Sequence, residues 1–228
     1  MQDAQNKELA LYLMGMLHNS LFLNYDTVTQ ILNSHLKQDS PLIIRLRTLW
    51  FLEKVARDPV LFREGKLEKV KGLFEPLCEF FVKQDEFVFQ YQGLLTMMAY
   101  LRQVKLVETY PERYPELIAD LSNKVTALLE QCNEETVDAP LAALKYLAKL
   151  DTACTQEMLR VVIKPVLSLF DKYFQDAMLS DDILQLLQTL GSVPDNTVFK
   201  QAVLPEVQAV VQRLHNFACE QQNSQEVQ

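Results

Sequence analysis

Glycine is scarce in this 228-residue chain, with five in all. A sandwich or barrel with many tight turns needs more, so helices are favoured. Gly15, Gly65, Gly72, Gly93 and Gly191 never approach the spacing that cradles a phosphate. Histidine is scarcer still: His18, His35 and His215 have no His or Cys at ligand spacing, and His18 and His35 fall near expected helix ends, where a capping role is the common one. The cysteines, at 78, 132, 154 and 219, are all far apart, whereas a metal site wants ligands two to four apart. They read as reduced, buried thiols of a cytosolic or nuclear protein. A nucleophile elbow, a zinc-protease helix and a paired-cysteine motif are all missing. The adjacent carboxylates Glu134-Glu135 and Asp181-Asp182 fall at expected helix starts, where they complement the helix dipole. The expectation is a non-enzymatic protein with no catalytic residue, no metal and no cofactor.

Long apolar runs and a basic excess are lacking too. No basic region precedes the first apolar stretch, so no secretory signal is read. The longest uncharged run, Leu9 to Tyr25, has 17 residues and contains His18, Asn19, Ser20 and Asn24. A membrane span needs roughly 20 apolar residues, so no membrane partner is expected. Net charge is −8. Residues 39–83 carry nine Lys or Arg against seven Asp or Glu, and residues 84–228 carry eleven against twenty. Direct DNA binding needs a concentrated basic face. Only residues 45–71 come close, and there Glu and Asp interleave. The acidic remainder keeps the chain soluble and attracts basic partners.

Hydrophobic residues make up 49% of the chain, so it can build a core. Their pattern repeats. Leu73-Phe74-Glu75-Pro76-Leu77, Arg113-Tyr114-Pro115-Glu116-Leu117, Ile163-Lys164-Pro165-Val166-Leu167 and Val203-Leu204-Pro205-Glu206-Val207 share a proline inside an apolar, helix-spaced run. These prolines are 39, 50 and 40 residues apart. A proline-free helix precedes each one. Four such first helices share a spaced phrase: Leu49, Leu52, Val55; Met98, Leu101, Val104; Leu144, Leu147, Leu150; and Leu187, Leu190, Val193. Two helices per unit and a period near 40 predict an all-α superhelix of about five HEAT-like helix pairs, rather than an antiparallel bundle.

The expected units are about 5–37, 40–83, 86–132, 135–175 and 180–220, with a polar tail over 221–228. In the first, Leu9, Leu13, Met16 and Leu17 share a helical face, and Asp26 caps a second helix carrying Val28, Ile31, Leu32 and Leu36. In the second, Ser40-Pro41 starts a helix with Ile43, Leu46, Leu49, Trp50 and Val55 inward, before a helix presenting Val70, Leu73, Phe74, Leu77, Phe80 and Phe81. The third places Val88, Leu94, Leu95, Met98, Leu101 and Val104 against Leu117, Ile118, Leu121, Val125, Leu128 and Leu129. Its alternating Phe87, Phe89 and Tyr91 read as a helix start rather than a strand. The fourth faces Leu144, Leu147 and Leu150 with Leu159, Val162, Val166, Leu169, Phe170 and Tyr173. The fifth faces Ile183, Leu186, Leu187 and Leu190 with Val203, Val207, Val210, Val211 and Leu214. Interior prolines kink a helix, which suits curved stacking.

The order of phrases resembles the middle of an importin-β-type (karyopherin) nuclear transport receptor. Glu8 to Leu17 is similar to the family's A-L-x-x-I/M-G-x-L helix, and Leu42 to Leu52 to its L-R-A-R-A-x-W-x-L helix. Tyr114-Pro115-Glu116-Leu117 and Ile163 to Leu167 are similar to later second helices. The resemblance implies a piece of a longer solenoid that shuttles between cytoplasm and nucleus with protein cargo, often basic. It implies that grooves between first helices take nucleoporin Phe-Gly repeats, with Trp50 and its aromatic neighbours as candidates, while second helices face cargo. The units that bind the GTPase Ran in a complete receptor are expected to lie outside this chain. The expected cargo-binding residues are the acids off the apolar stripe of the second helices: Glu75, Glu79, Glu116, Asp120, Asp171 and Glu206. The alternative is a HEAT scaffold organising a multi-protein complex of phosphatase, chromosome or coat type.

Overall fold

The computed structural model describes residues 2–18, 24–57, 65–102, 114–150, 152–192 and 197–226. Side chains are described for these except 66, 67, 114, 115, 152–154, 156, 157, 198, 199, 202, 214, 215 and 217–226. The described residues form ten α-helices and no strand. They are α1 (Gln2–Met16), α2 (Tyr25–His35), α3 (Leu42–Val55), α4 (Lys66–Lys83), α5 (Phe87–Leu101), α6 (Tyr114–Leu129), α7 (Asp138–Ala148), α8 (Thr152–Tyr173), α9 (Ala177–Gly191) and α10 (Thr197–Glu226). The alternating aromatics Phe87, Phe89 and Tyr91 are helical, as expected. Helix α10 runs on to Glu226, through most of the expected polar tail.

The chain divides into two compact units, Met1–Tyr114 and Pro115–Gln228. In the first unit, α1 packs on α3 and α3 on α5; α2 packs on α3 and α4, and α4 on α5. Helices two apart in sequence are therefore lateral neighbours, in two layers: α1, α3 and α5, then α2 and α4. The buried side chains between the layers include Phe51 and Leu52 of α3, Phe74 and Phe81 of α4, and Met97 and Tyr100 of α5. In the second unit, α7 packs on α9 and α8 on α10, while α8 also packs on α7 and α9. Its core includes Leu144 and Leu147 of α7, Leu159 and Val166 of α8, Ile183 and Leu186 of α9, and Val203 of α10.

Polar bonds between these neighbours join residues about 37 to 48 positions apart. In the first unit, Arg47 Nε donates to Glu8 Oε1 at 2.6 Å and Gln92 Nε2 to Glu53 Oε2 at 3.1 Å, each 39 residues apart. Thr96 Oγ1 lies 2.9 Å from the Leu49 carbonyl and 2.8 Å from the Gln92 carbonyl of its own helix, which share its proton, and Tyr100 OH donates to the Leu52 carbonyl at 3.2 Å. In the second unit, Lys145 Nζ reaches Asp182 Oδ1, 37 residues on, and Arg213 Nη1 reaches Asp171 Oδ2, 42 residues back.

Two glycines lie where a neighbouring side chain comes close. A Cβ at Gly15 would overlap the Trp50 ring, and one at Gly72 would overlap the Tyr25 hydroxyl. At Gly15 the whole Trp50 ring would have to move, whereas at Gly72 only the tip of the Tyr25 side chain would. Pro76, Pro165 and Pro205 lie inside α4, α8 and α10. Each removes one backbone donor from its helix.

Several expected faces and caps differ. On α1, Leu11 and Gly15 are buried, while Leu9, Leu13, Met16 and Leu17 are about half exposed. The close approach that Gly15 permits turns that side of α1 toward α3. Helix α3 keeps Leu49 and Val55 inward as expected, but Ile43 is exposed, Leu46 and Trp50 are only half-buried, and Ile44, Thr48, Phe51 and Leu52 are buried as well, because α1, α2 and α5 contact it on several sides. Val88 and Val211 are exposed as well. Asn24, not Asp26, caps α2, its Oδ1 accepting from Thr27 N at 2.8 Å. Ser40 is not the cap of α3; Pro41 holds that position, and its carbonyl accepts from Ile44 N and Arg45 N. Asp181-Asp182 do not start a helix: Asp176 caps α9 through Met178 N and Leu179 N, and Asp182 is left to hold Lys145. The expectations for Val104, Val193, Leu214 and His215, and for the thiols of Cys154 and Cys219, lie outside the described residues.

Candidate functional site

The six acids fall into separate groups, each on a helix surface. Glu75 and Glu79 are one turn apart on α4, and both are exposed. Glu79 pairs with Lys83 at 3.3 Å, so only Glu75 of the two keeps its charge open. Glu116 and Asp120 are one turn apart and exposed on α6. Asp171, on α8, is half-buried and held at 2.7 Å by Arg213 of α10; it ties two helices together. Glu206 is exposed on α10. Among the described residues, Glu75, Glu116, Asp120 and Glu206 have no ion-pair partner. The unit Pro115–Gln228 thus offers three open carboxylates from the expected set, and Met1–Tyr114 offers one.

A second surface lies between the first helices α1 and α3. Tyr12 stacks on Trp50 with ring centroids 5.5 Å apart. The Arg47 guanidinium sits over both rings, 5.0 and 5.1 Å from their centroids, and Lys54 approaches Trp50 at 5.5 Å. Glu8 holds Arg47 in place. Trp50 is half-buried, so it lies at the seam between neighbouring first helices rather than in the core with Phe51. The exposed Leu9, Leu13 and Met16 continue this surface as an apolar stripe. The reading of Trp50 foresaw a seam position as one option. The roles of Tyr12 and Arg47 were missed, because Arg47 and Glu8 are 39 residues apart in sequence.

No protein-family model, curated protein or solved structure matches this chain.

The second unit also carries an apolar groove of about 650 Å³ between α8, α9 and α10, lined by Leu184, Leu187, Val203, Leu204, Val207 and Val211 among others. It opens where Ile163, Leu167 and Val203 form a buried cluster with Leu187 and Val207 packed against it.

Reactive groups are quiet where described. Cys78 is buried, and burial pushes its thiol far up, helped by nearby Glu75 and Glu79. Burial also raises the Cys132 thiol, which donates to the Leu128 carbonyl at 3.3 Å. A thiol held protonated is a poor nucleophile. His18 Nδ1 lies 2.9 Å from the Gly15 carbonyl at the end of α1, the expected capping contact. His35 is held below its ordinary value by burial and then by Lys7, and its buried Nδ1 has no partner. Among the described residues no cluster of His, Cys, Asp or Glu is placed to hold a metal ion, and no helix is long and apolar enough to cross a membrane.

Proposed function

We propose that the chain is a non-enzymatic protein-binding array of about five HEAT-like helix pairs, part of a nuclear transport receptor of the importin-β type. One observation supports the array: α1, α3 and α5, α2 and α4, α7 and α9, and α8 and α10, each two apart in sequence, pack side by side within their units, and the bonds fastening them join residues 37–48 positions apart. That separation is the length of one repeat. Stacked helix pairs present long surfaces and characteristically hold partners.

The favoured partner is a basic protein segment carried between cytoplasm and nucleus. The excess acid of residues 84–228 and the open carboxylates Glu116, Asp120 and Glu206 favour it. The seam of Tyr12 and Trp50 beside exposed Leu9, Leu13 and Met16 suits a Phe-Gly segment. Binding of Ran belongs to other parts of such a receptor.

The test is binding of a fluorescent lysine- and arginine-rich peptide at 50 and 300 mM salt. Affinity is expected to drop at the higher salt and to fall several-fold when Glu116→Lys and Asp120→Lys are combined. Unchanged affinity of the double variant at low salt overturns the reading.

A second reading, a scaffold for a multi-protein complex, is favoured by the half-exposed stripe on α1 and the groove of α8, α9 and α10. It predicts partners retained at high salt. A pull-down from nuclear extract at the two salt concentrations separates the two.

A further inference from the structure

Arg45 is the least expected buried residue of the first unit. It is 7% exposed, and no carboxylate pairs with it among the described residues. Its position follows from the helix: it sits on the side of α3 that also buries Thr48 and Leu52. Its guanidinium lies against two rings, 4.2 Å from the Phe89 centroid and 5.5 Å from that of Phe80. Its Nη2 donates to the side-chain carbonyl of Gln84 at 2.8 Å, and its Nε is buried with no partner. Gln84 is the residue that ends α4, and its backbone carbonyl accepts from Gln90 Nε2 at 2.9 Å. The Oε1 of Gln90 is itself buried without a partner. A buried cation is thus held by two rings and one neutral oxygen. The negative group that ordinarily accompanies a buried arginine is missing from its surroundings.

Arg45 lines a cleft of about 330 Å³ between α2, α3 and α4, together with Asn33, Lys37, Glu79, Lys83 and Gln84. Three cations stand there against one carboxylate, and Lys83 already engages that carboxylate. Within a chain of net charge −8, this is a concentrated positive pocket. Its size suits one or two residues of a peptide rather than a folded surface.

We propose that this cleft binds a carboxylate of an acidic peptide segment, with Arg45 as its charged anchor and Lys37 and Lys83 at its mouth. The Gln84 amide oxygen occupies a place that the incoming carboxylate takes over. An arginine fork matches a carboxylate in shape, and rings behind it hold the fork in position. The site shares Glu79 with the acids described above, but it selects partners of the opposite sign.

The test titrates the full ¹⁵N-labelled chain with N-acetyl-hexaglutamate and, in parallel, with inorganic phosphate at matched ionic strength. Hexaglutamate is expected to shift the Arg45 Nε–Hε and Gln84 side-chain amide resonances saturably. The combined Lys37→Ala and Lys83→Ala variant is expected to weaken that binding at least about tenfold. Both lysines are exposed, so their removal spares the core, whereas loss of Arg45 itself risks the fold. Absence of saturable shifts at these two side chains overturns the proposal. So does equal binding by the double variant, and so does saturation by phosphate without saturation by hexaglutamate.

Discussion

The two buried bonds from α5 to α3 make a direct test of what fastens neighbouring first helices. Tyr100 is fully buried, and its hydroxyl donates to the Leu52 carbonyl; Thr96, one turn earlier, is fully buried and shares its one hydroxyl proton between the Leu49 carbonyl at 2.9 Å and the Gln92 carbonyl of its own helix at 2.8 Å. Tyr100→Phe keeps the ring and removes one donor. The Leu52 carbonyl keeps its bond from Ala56 N at 2.9 Å, so it is not orphaned. The cost is then that of one net hydrogen bond, about 1 kcal/mol. Thr96→Val, nearly the same shape, carries a similar cost of about 1 kcal/mol. The pair together is expected to cost about 2 kcal/mol. Gln92→Ala removes the half-buried bond to Glu53 between the same two helices and is expected to cost under about 0.5 kcal/mol. Trp50 is the chain's single tryptophan and stands in α3, so its fluorescence reports this unit's unfolding. With a urea slope of about 2 kcal/mol per molar, the double variant lowers the midpoint by about 1 M. A double variant within about 0.3 kcal/mol of the parent, or a Gln92→Ala variant that costs as much, refutes the claim that buried bonds hold the layer together.

Three other outcomes are expected. Gly15→Val places a side chain into the Trp50 ring; overpacking of about 1–3 kcal/mol exceeds the helix-propensity gain, which is under about 1 kcal/mol. Unchanged stability and Trp50 emission would show that α1 does not lie against α3 there. His35 is held below its ordinary value, so the unfolded chain takes up its proton first. Stability is then full above about pH 6.5 and declines as pH falls from there; His35→Asn should flatten the difference between urea midpoints at pH 7.5 and 5.5, and an equal slope would remove the assignment. Cys78 is expected to react with iodoacetamide at pH 8 at least about tenfold more slowly in the folded chain than in urea, read by peptide mass mapping. Equal rates would mean that the thiol is not enclosed.

Helix type and approximate extent were legible because apolar residues repeat every three or four positions. On α4, Val70, Leu73, Phe74, Leu77, Phe80 and Phe81 form one stripe, and all six are buried. The inward side of α1 was not legible. Apolar residues surround that helix, so periodicity selects no face, and the choice fell to Gly15, whose missing side chain lets Trp50 approach. On α3 the pattern misled because polar positions are buried there. Thr48 satisfies its hydroxyl on the Ile44 carbonyl at 2.7 Å, and Arg45 lies against Phe80 and Phe89, residues about 35 to 44 positions away. The acids at 75, 79, 116, 120, 171 and 206 were visible as charges, and Lys83, one turn from Glu79 in the same helix, was legible as its partner; that Arg213 holds Asp171 was not, because it depends on the packing of α10 on α8.

Local spacing along the chain therefore determined that it is helical, because a helix face is set by neighbours three and four residues apart. Tertiary structure alone decided which helices touch, which side of α1 and α3 turns inward, and that a lone arginine lies at the edge of a cleft. Those outcomes depend on contacts between residues about forty positions apart, and short-range periodicity carries no information at that distance.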